Sequence, residues 1–268
     1  MPLLVTEAIV LHAFDYLESS RIVRLVTRDS GMRSALAKGA RKSRRRFGSG
    51  LDLFAQGTAH LHTRAGRDLD TLSAYEDVTM RSTLADDLER FTGAETIAEI
   101  VLAFGREGAD ETLFDAVARA LDALATRSGF AAREATLAGI WQIVAALGFG
   151  PALDDCAECN APLAAVETAL FTHSAGGVLC KRCASMSAGG RRLPAPARAA
   201  ITGWMQGTDP DDAVVRTPRP RAGAEAPLGD SDARAHQRLL REFLGYHLHD
   251  GRTLRAFDMW ERAGWSAA

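Results

Sequence analysis

Residues 6–37 read TEAIVLHAFDYLESSRIVRLVTRDSGMRSALA, and their alternation decides the fold of the first part of the chain. Residues 6–13 and 21–27 are rich in β-branched and apolar side chains, which predicts two strands joined by the polar stretch 15–20. Asp29-Ser30-Gly31 supplies a hairpin turn. In residues 32–37, Met32, Ser34 and Leu36 fall on one face and Arg33, Ala35 and Ala37 on the other, the period of a third strand. Two more strands are expected at residues 51–63 and 69–75, joined by Arg64-Ala65-Gly66-Arg67, whose glycine can take the positive φ of a tight hairpin. Five short strands within eighty residues predict a small barrel of the OB type.

Between the third and fourth strands lies Lys38-Gly39-Ala40-Arg41-Lys42-Ser43-Arg44-Arg45-Arg46-Phe47, in which six of the nine residues 38–46 are cationic. A solvated charged loop is the ordinary reading of such a run. Its place in a barrel instead suggests a mobile loop that grips phosphates through Lys38, Arg41, Lys42, Arg44, Arg45 and Arg46, with Lys38 and Arg41 best placed at the strand end. Phe47 is either a base-stacking platform or a packing anchor.

From residue 82 onward the hydrophobic period lengthens to that of helices. Leu84, Leu88 and Phe91, then Ile97, Ile100, Val101 and Phe104, then Leu113, Phe114, Val117, Leu121 and Leu124 form successive stripes, and Leu137, Ile140, Trp141, Val144 and Leu147 close the set. Thr83 with Asp86 resembles a capping box, and the carboxylates between Asp86 and Asp122 are expected to be solvated charge on helix faces. The expected division is an OB-fold domain over 1–80, helical segments over 81–150 and 191–268, and an insertion over 151–190.

That insertion holds all the cysteine of the chain: Cys156-Ala-Glu-Cys159, twenty intervening residues, and Cys180-Lys-Arg-Cys183. Two CxxC knuckles at this spacing suit a tetrahedral four-thiolate zinc ribbon; two disulfides, or reduced thiols that merely pack, are the alternatives. With sulfur at every corner no coordination site stays open, so the metal would be structural. Lys181 and Arg182 would offset the charge of the thiolates. His173 would replace a cysteine only against the spacing, and is expected at the surface. After the ribbon, Pro194 and Pro196 introduce a helix over about 197–206, residues 207–230 form a flexible connection, and an amphipathic helix over about 232–248 buries Leu239, Leu240, Phe243 and Leu244, with a short tail through Phe257 and Trp260. His236, His247 and His249 lack partners for metal binding and are expected at the surface or core edge.

The chain has 268 residues, 47% hydrophobic and 25% charged, a globular composition that excludes disordered and fibrous classes. No apolar run suits a membrane span or a secretory leader, so a cytoplasmic protein is expected. The net charge of −2 is uneven: residues 1–80 carry 12 basic and 9 acidic residues, residues 81–155 carry 6 and 13, and residues 156–268 carry 14 and 12. A basic head followed by an acidic middle hints at a polyanion partner for the first domain.

Across nearly its full length the chain resembles the RecO family of bacterial recombination mediators. The resemblance is carried by Thr27-Arg28-Asp29-Ser30-Gly31, by Lys38-Gly39-Ala40-Arg41 with its basic continuation, by Leu147-Gly148-Phe149 leading through Pro151 and Leu153 to Cys156, and by Gly176-Gly177 before the second knuckle. It implies an α+β multidomain architecture, an N-terminal five-stranded OB-type barrel followed by an α-helical domain with an inserted four-cysteine zinc ribbon. It also implies a role in DNA repair and recombination: binding single- and double-stranded DNA, annealing strands and, with RecR, helping load RecA onto strands coated by single-strand-binding protein, whose C-terminal tail is a further partner. The DNA role then falls on the six cations of residues 38–46 and a structural Zn²⁺ on the four cysteines. No phosphate-cradling loop and no nucleophile–base arrangement is evident, so no enzymatic activity is expected. A zinc-ribbon adaptor without DNA binding and a metal-dependent nuclease using the acidic middle are the competing functional classes.

Overall fold

The computed structural model describes residues 2–42, 44–47, 51–63, 66, 68–207, 228–247 and 253–263. The chain forms two compact units, Met1–Ala132 with Leu254–Ala268, and Arg133–Thr253. The proposed flexible connection at 207–230 falls almost wholly outside the described residues, as does His249.

The first unit is built on a closed barrel of strands β1 (Leu3–Tyr16), β2 (Ser20–Thr27), β3 (Gly31–Ala37), β4 (Gln56–His62) and β5 (Asp70–Thr79), in the order β1-β2-β3-β5-β4. All pairings are antiparallel except β3 with β5. The OB-type barrel read from the alternation is therefore present. Closure depends on β1, whose first half pairs β4 and whose second half pairs β2, with a bulge between Val10 and His12 that lets one strand serve both. Inward residues Ala8, Val10, Val23, Leu25, Ala59 and Leu61 fill the interior, and the Tyr75 hydroxyl donates to the Ala8 carbonyl at 2.7 Å.

The fourth strand starts at Gln56 rather than residue 51. Phe54 is buried with φ of 66°, and its amide donates to the Val10 carbonyl, so residues 51–54 form a turn and not a strand. Before them, a single helical turn, α1 (Arg44–Phe47), places Phe47 on the barrel core.

After β5 a 3-10 turn at Ser82–Ala85 leads to α2 (Leu88–Phe104), then α3 (Glu111–Ala125). The cap of α2 is Asp87, whose carboxylate accepts the amides of Glu89 and Arg90 at 3.0 Å, while Thr83 donates to the Ala125 carbonyl instead. The 3-10 turn consumes the residues of the expected capping box, and the helix begins later. Asp110 caps α3 in the same way.

The helices lie on the barrel through specific contacts. Gly31 in the β2–β3 turn (φ of 62°) approaches the α2–α3 loop so closely that a Cβ would meet the Gly108 carbonyl at 2.3 Å. Arg28 is held by Glu7 at 2.8 Å and by Asp115 of α3 at 2.9 Å, over the ring of Phe114. Buried Arg81 donates to the Phe54 carbonyl, Gln56 and Asp122. Several acidic residues of the middle segment are thus caps or ion-pair partners, not free solvated charge.

In the second unit, α4 (Gly129–Ala146, its first turn still in the first unit) is buried nearly all round from Ala132 to Val144, the pattern of a helix at the centre of a core. The ribbon follows, with a small sheet in the order β7-β6-β8 formed by β6 (Ala169–Thr172), β7 (Gly177–Leu179) and β8 (Arg191–Leu193), and a short helix α5 (Lys181–Ala184). Then come α6 (Ala195–Met205) and α7 (Asp230–His247). Leu239, Leu240, Phe243 and Leu244 of α7 are buried, as the stripe predicts, and Phe243 meets Trp141 at 5.3 Å and Phe171 at 6.1 Å between ring centres. The last segment is a helix rather than a tail: α8 (Arg255–Ala263) belongs to the first unit, where it packs on α2 with Phe257 and Trp260 fully buried.

Candidate metal centre and nucleic-acid interface

The ribbon brings Cys156, Cys159, Cys180 and Cys183 together, with all four sulfurs within 4.8 Å of one another and none in a disulfide. Local backbone geometry makes this convergence. The first knuckle turns at Asn160 (φ of 55°), whose amide donates to the Cys156 carbonyl, and it is pinned to the sheet by the Ala157 amide on the Val178 carbonyl at 2.8 Å. Gly177 then lets residue 152 approach: a Cβ there would lie 2.3 Å from the Ala152 carbonyl oxygen.

Ionised together, the sulfurs would repel one another unless a cation lay among them. Burial pushes the Cys156 thiol up, but the backbone amides of Cys180, Cys159 and Glu158 outweigh it and bring it down to about 6. The Cys180 thiol is also lowered, chiefly by the Cys183 amide, whereas the hydrogen bond with Cys159 helps push Cys183 up to about 12. Four thiols this close cannot all ionise alone, and a divalent cation removes the conflict. The Cys159 and Cys180 sulfurs are 3.7 Å apart, close to the edge of about 3.8 Å expected for a thiolate tetrahedron around zinc. The donor set therefore fits a metal ion.

Arg182 donates to Cys159 and Cys183, the role expected of it, but Lys181 points away to Glu167 at 3.5 Å and stays 91% exposed. His173 is neither a ligand nor a plain surface residue. Its Nε2 lies 3.3 Å from Glu242 and its ring stacks on Tyr246, so with Arg191, which also binds Glu242, it fastens the ribbon to α7. His236 is buried against Trp204 at 4.9 Å and is a core histidine, whereas His247 is half-buried where it packs on Phe243, at the core edge as expected.

The cationic segment begins in a turn at the end of β3. Lys42 donates its amide to the Gly39 carbonyl, Gly39 sits at φ of 68°, and the Arg41 amide reaches the Ser19 carbonyl of the β1–β2 hairpin at 3.1 Å. Arg46 donates to the Lys38 carbonyl at 3.1 Å. The described residues form a turn braced on the barrel by these hydrogen bonds. Lys38, Arg41, Lys42 and Arg46 are exposed, and Arg41 faces Asp15 at 3.6 Å. The side chains of Arg44 and Arg45 lie outside the described positions.

Phe47 is 1% exposed and belongs to the barrel core, which excludes it as a stacking platform. Burying such a ring contributes about 2–3 kcal/mol, comparable to the roughly 1–3 kcal/mol a stacked base would return, so its exposure would gain nothing.

A closed five-stranded barrel with a cationic turn, joined to helices and a four-cysteine ribbon, defines an OB-type protein with a metal-ribbon insertion. The family model for the Recombination protein O N-terminal region matches residues 1–81, and that for the Recombination protein O C-terminal region matches residues 85–255. The chain belongs to the RecO family. It is 36% identical to the DNA repair protein RecO of Rubrobacter xylanophilus over 69% of this chain and 73% of that one. Identity to the DNA repair protein RecO of an Anaeromyxobacter species (strain K) is 34% over 92% of both chains, and to that of Pelotomaculum thermopropionicum 31% over 100% and 97%. A role in DNA repair and recombination follows from this membership. No described helix is long and apolar enough to cross a membrane.

Proposed function

We propose that the protein is a recombination mediator that acts by binding rather than by catalysis, in the cytoplasm at the nucleoid. It holds single- and double-stranded DNA through Lys38, Arg41, Lys42, Arg44, Arg45 and Arg46, anneals complementary strands, and with RecR helps load RecA onto strands covered by single-strand-binding protein, whose C-terminal tail it contacts. The observation that carries this reading is the braced turn of exposed cations at one end of an OB-type barrel. Guanidinium and ammonium groups there grip phosphates by releasing counterions and read no sequence, as annealing of arbitrary strands requires. The ion in the ribbon is zinc, and its role is structural, because the four sulfurs complete its coordination.

The test is annealing of complementary oligonucleotides followed by fluorescence energy transfer. The parent accelerates annealing, and a variant with all six cations changed to alanine loses about tenfold or more of that acceleration, because several phosphates are released together. Equal annealing by parent and variant would remove the cationic turn from the function.

A further inference from the structure

The bulge in β1 turns aromatic rings outward at one end of the barrel. Before it, even-numbered residues such as Ala8 and Val10 point inward; after it, Ala13 lies opposite Val23 and faces the interior, so His12, Phe14 and Tyr16 point outward. Phe14 is 43% and Tyr16 42% exposed, and His12 lies against Phe14 with ring centres 5.7 Å apart. On the same face Phe14 pairs with Ile22 and, through it, Leu36, both only half-buried. Toward the other end of these strands the outer face is covered: Ile9, Val26 and Met32 are buried, with Met32 against Gly105 after α2. The uncovered end is the one the cationic turn reaches, since Arg41 bonds the backbone of Ser19 and Glu18 and Gly39 bonds Ser20.

We propose that Phe14 and Tyr16 form a base-stacking platform for single-stranded DNA, with the backbone of that strand held by the adjacent Lys38, Arg41 and Lys42. This rests on the DNA-binding reading above and names the strand type the site prefers. Charge complementarity selects the occupant: the rings are rimmed by Lys38, Arg41 and Lys42, of which Arg41 also faces Asp15 at 3.6 Å. This excess of cations suits a flexible polyanion whose bases carry π-faces, whereas a purely apolar protein surface would leave the exposed Lys38 and Lys42 unmatched. Spacing agrees. Outward side chains two residues apart on a strand are separated by about 6.7 Å, roughly twice the 3.4 Å rise per nucleotide of a stacked duplex strand, so the two rings take bases that have been pulled apart. A duplex, with its bases already stacked inside, gains nothing from the rings.

The experiment compares the parent with Phe14→Leu/Tyr16→Leu, which keeps an apolar surface but removes both π-faces. Each protein is titrated with an oligo-dT strand, an abasic strand of equal length, and a duplex, at several salt concentrations. Both residues are exposed, so matching thermal melts confirm that the variant is folded. The parent is expected to bind oligo-dT at least tenfold more tightly than the abasic strand; the variant loses that preference, keeps the parent's salt dependence and binds duplex as before. A variant that still prefers oligo-dT as the parent does, or a parent with no such preference, would overturn the platform while leaving the cationic turn intact. A parent that binds none of the three would instead overturn the DNA-binding reading itself. Second copies of this chain associating through the face, seen as a dimer that the double variant abolishes without any change in base preference, would also overturn the proposal.

Discussion

His236 shows how an ordinary residue sets a pH dependence. Burial beside Trp204 lowers its pKa from the usual 6.5 to about 4 and outweighs the opposing charge of Asp232. The unfolded chain therefore binds a proton that the folded chain refuses. Stability is fully present above pH 6.5, falls as the pH drops from about 6.5 to 4, and is level below that; the whole loss is about 3 kcal/mol. Melting temperature against pH should show this decline, and His236→Phe should flatten it; an equally steep decline in that variant would assign it to other groups. Arg81 makes a second case. Its buried guanidinium serves the Phe54 carbonyl, Gln56 and Asp122, but Asp122 is exposed enough to regain water, so Arg81→Ala should cost about 2–3 kcal/mol, less than a fully buried pair. Denaturant unfolding measures it, and a loss under about 0.5 kcal/mol, the range of ordinary surface substitutions, would contradict the role. The cysteine quartet could be read from sequence because metal geometry imposes a fixed spacing. Phe47 could be read only as one of two alternatives, since a lone aromatic carries no period, and the structure takes the packing anchor. The Asp87 cap could not be read at all, because it depends on a 3-10 turn that shifts the helix start.

Among the elements, strands with strict alternation are recognisable in the sequence, and their misplaced edges have local causes. Residues 51–54 look strand-like by composition, but the positive φ of Phe54 turns the chain before β4. The helix α8 is only nine residues long, too short for its period to separate from a tail. What makes it a helix is the burial of Phe257 and Trp260 as it packs on α2, together with the Glu99 carboxylate accepting the Phe257 amide at 3.1 Å. The ribbon has three strands of three or four residues, and its sheet is too small to persist without a staple. Removing metal with a chelator should therefore collapse protection from hydrogen exchange in residues 151–193, since apparent zinc affinities of structural sites amount to about 10–16 kcal/mol in peptides. Unchanged exchange in that segment after verified metal removal would deny the ion a structural role.

Over the whole molecule, the modest positive charge of the first eighty residues conceals how its cations are used. Arg28 is matched by Glu7 and Asp115, Arg33 by Asp70 and Glu107, and Arg21 by Asp15, so the paired arginines knit the first unit together. Residues 38–46 hold six cations and no carboxylate, and there the excess collects. The acidic middle and the basic head, separate in sequence, are partly spent on each other in the fold. That pairing was invisible to a count by segment, as was the return of the last helix to the first unit, because both depend on contacts between residues far apart in the chain. The most direct measurement is the affinity for single-stranded DNA as a function of salt, for the parent and for the variant with Lys38, Arg41, Lys42, Arg44, Arg45 and Arg46 all changed to alanine. With about four of these on phosphates, at about 0.7 per contact, the slope of log affinity against log salt should become shallower by about 3. An unchanged slope would place the DNA elsewhere and contradict the account.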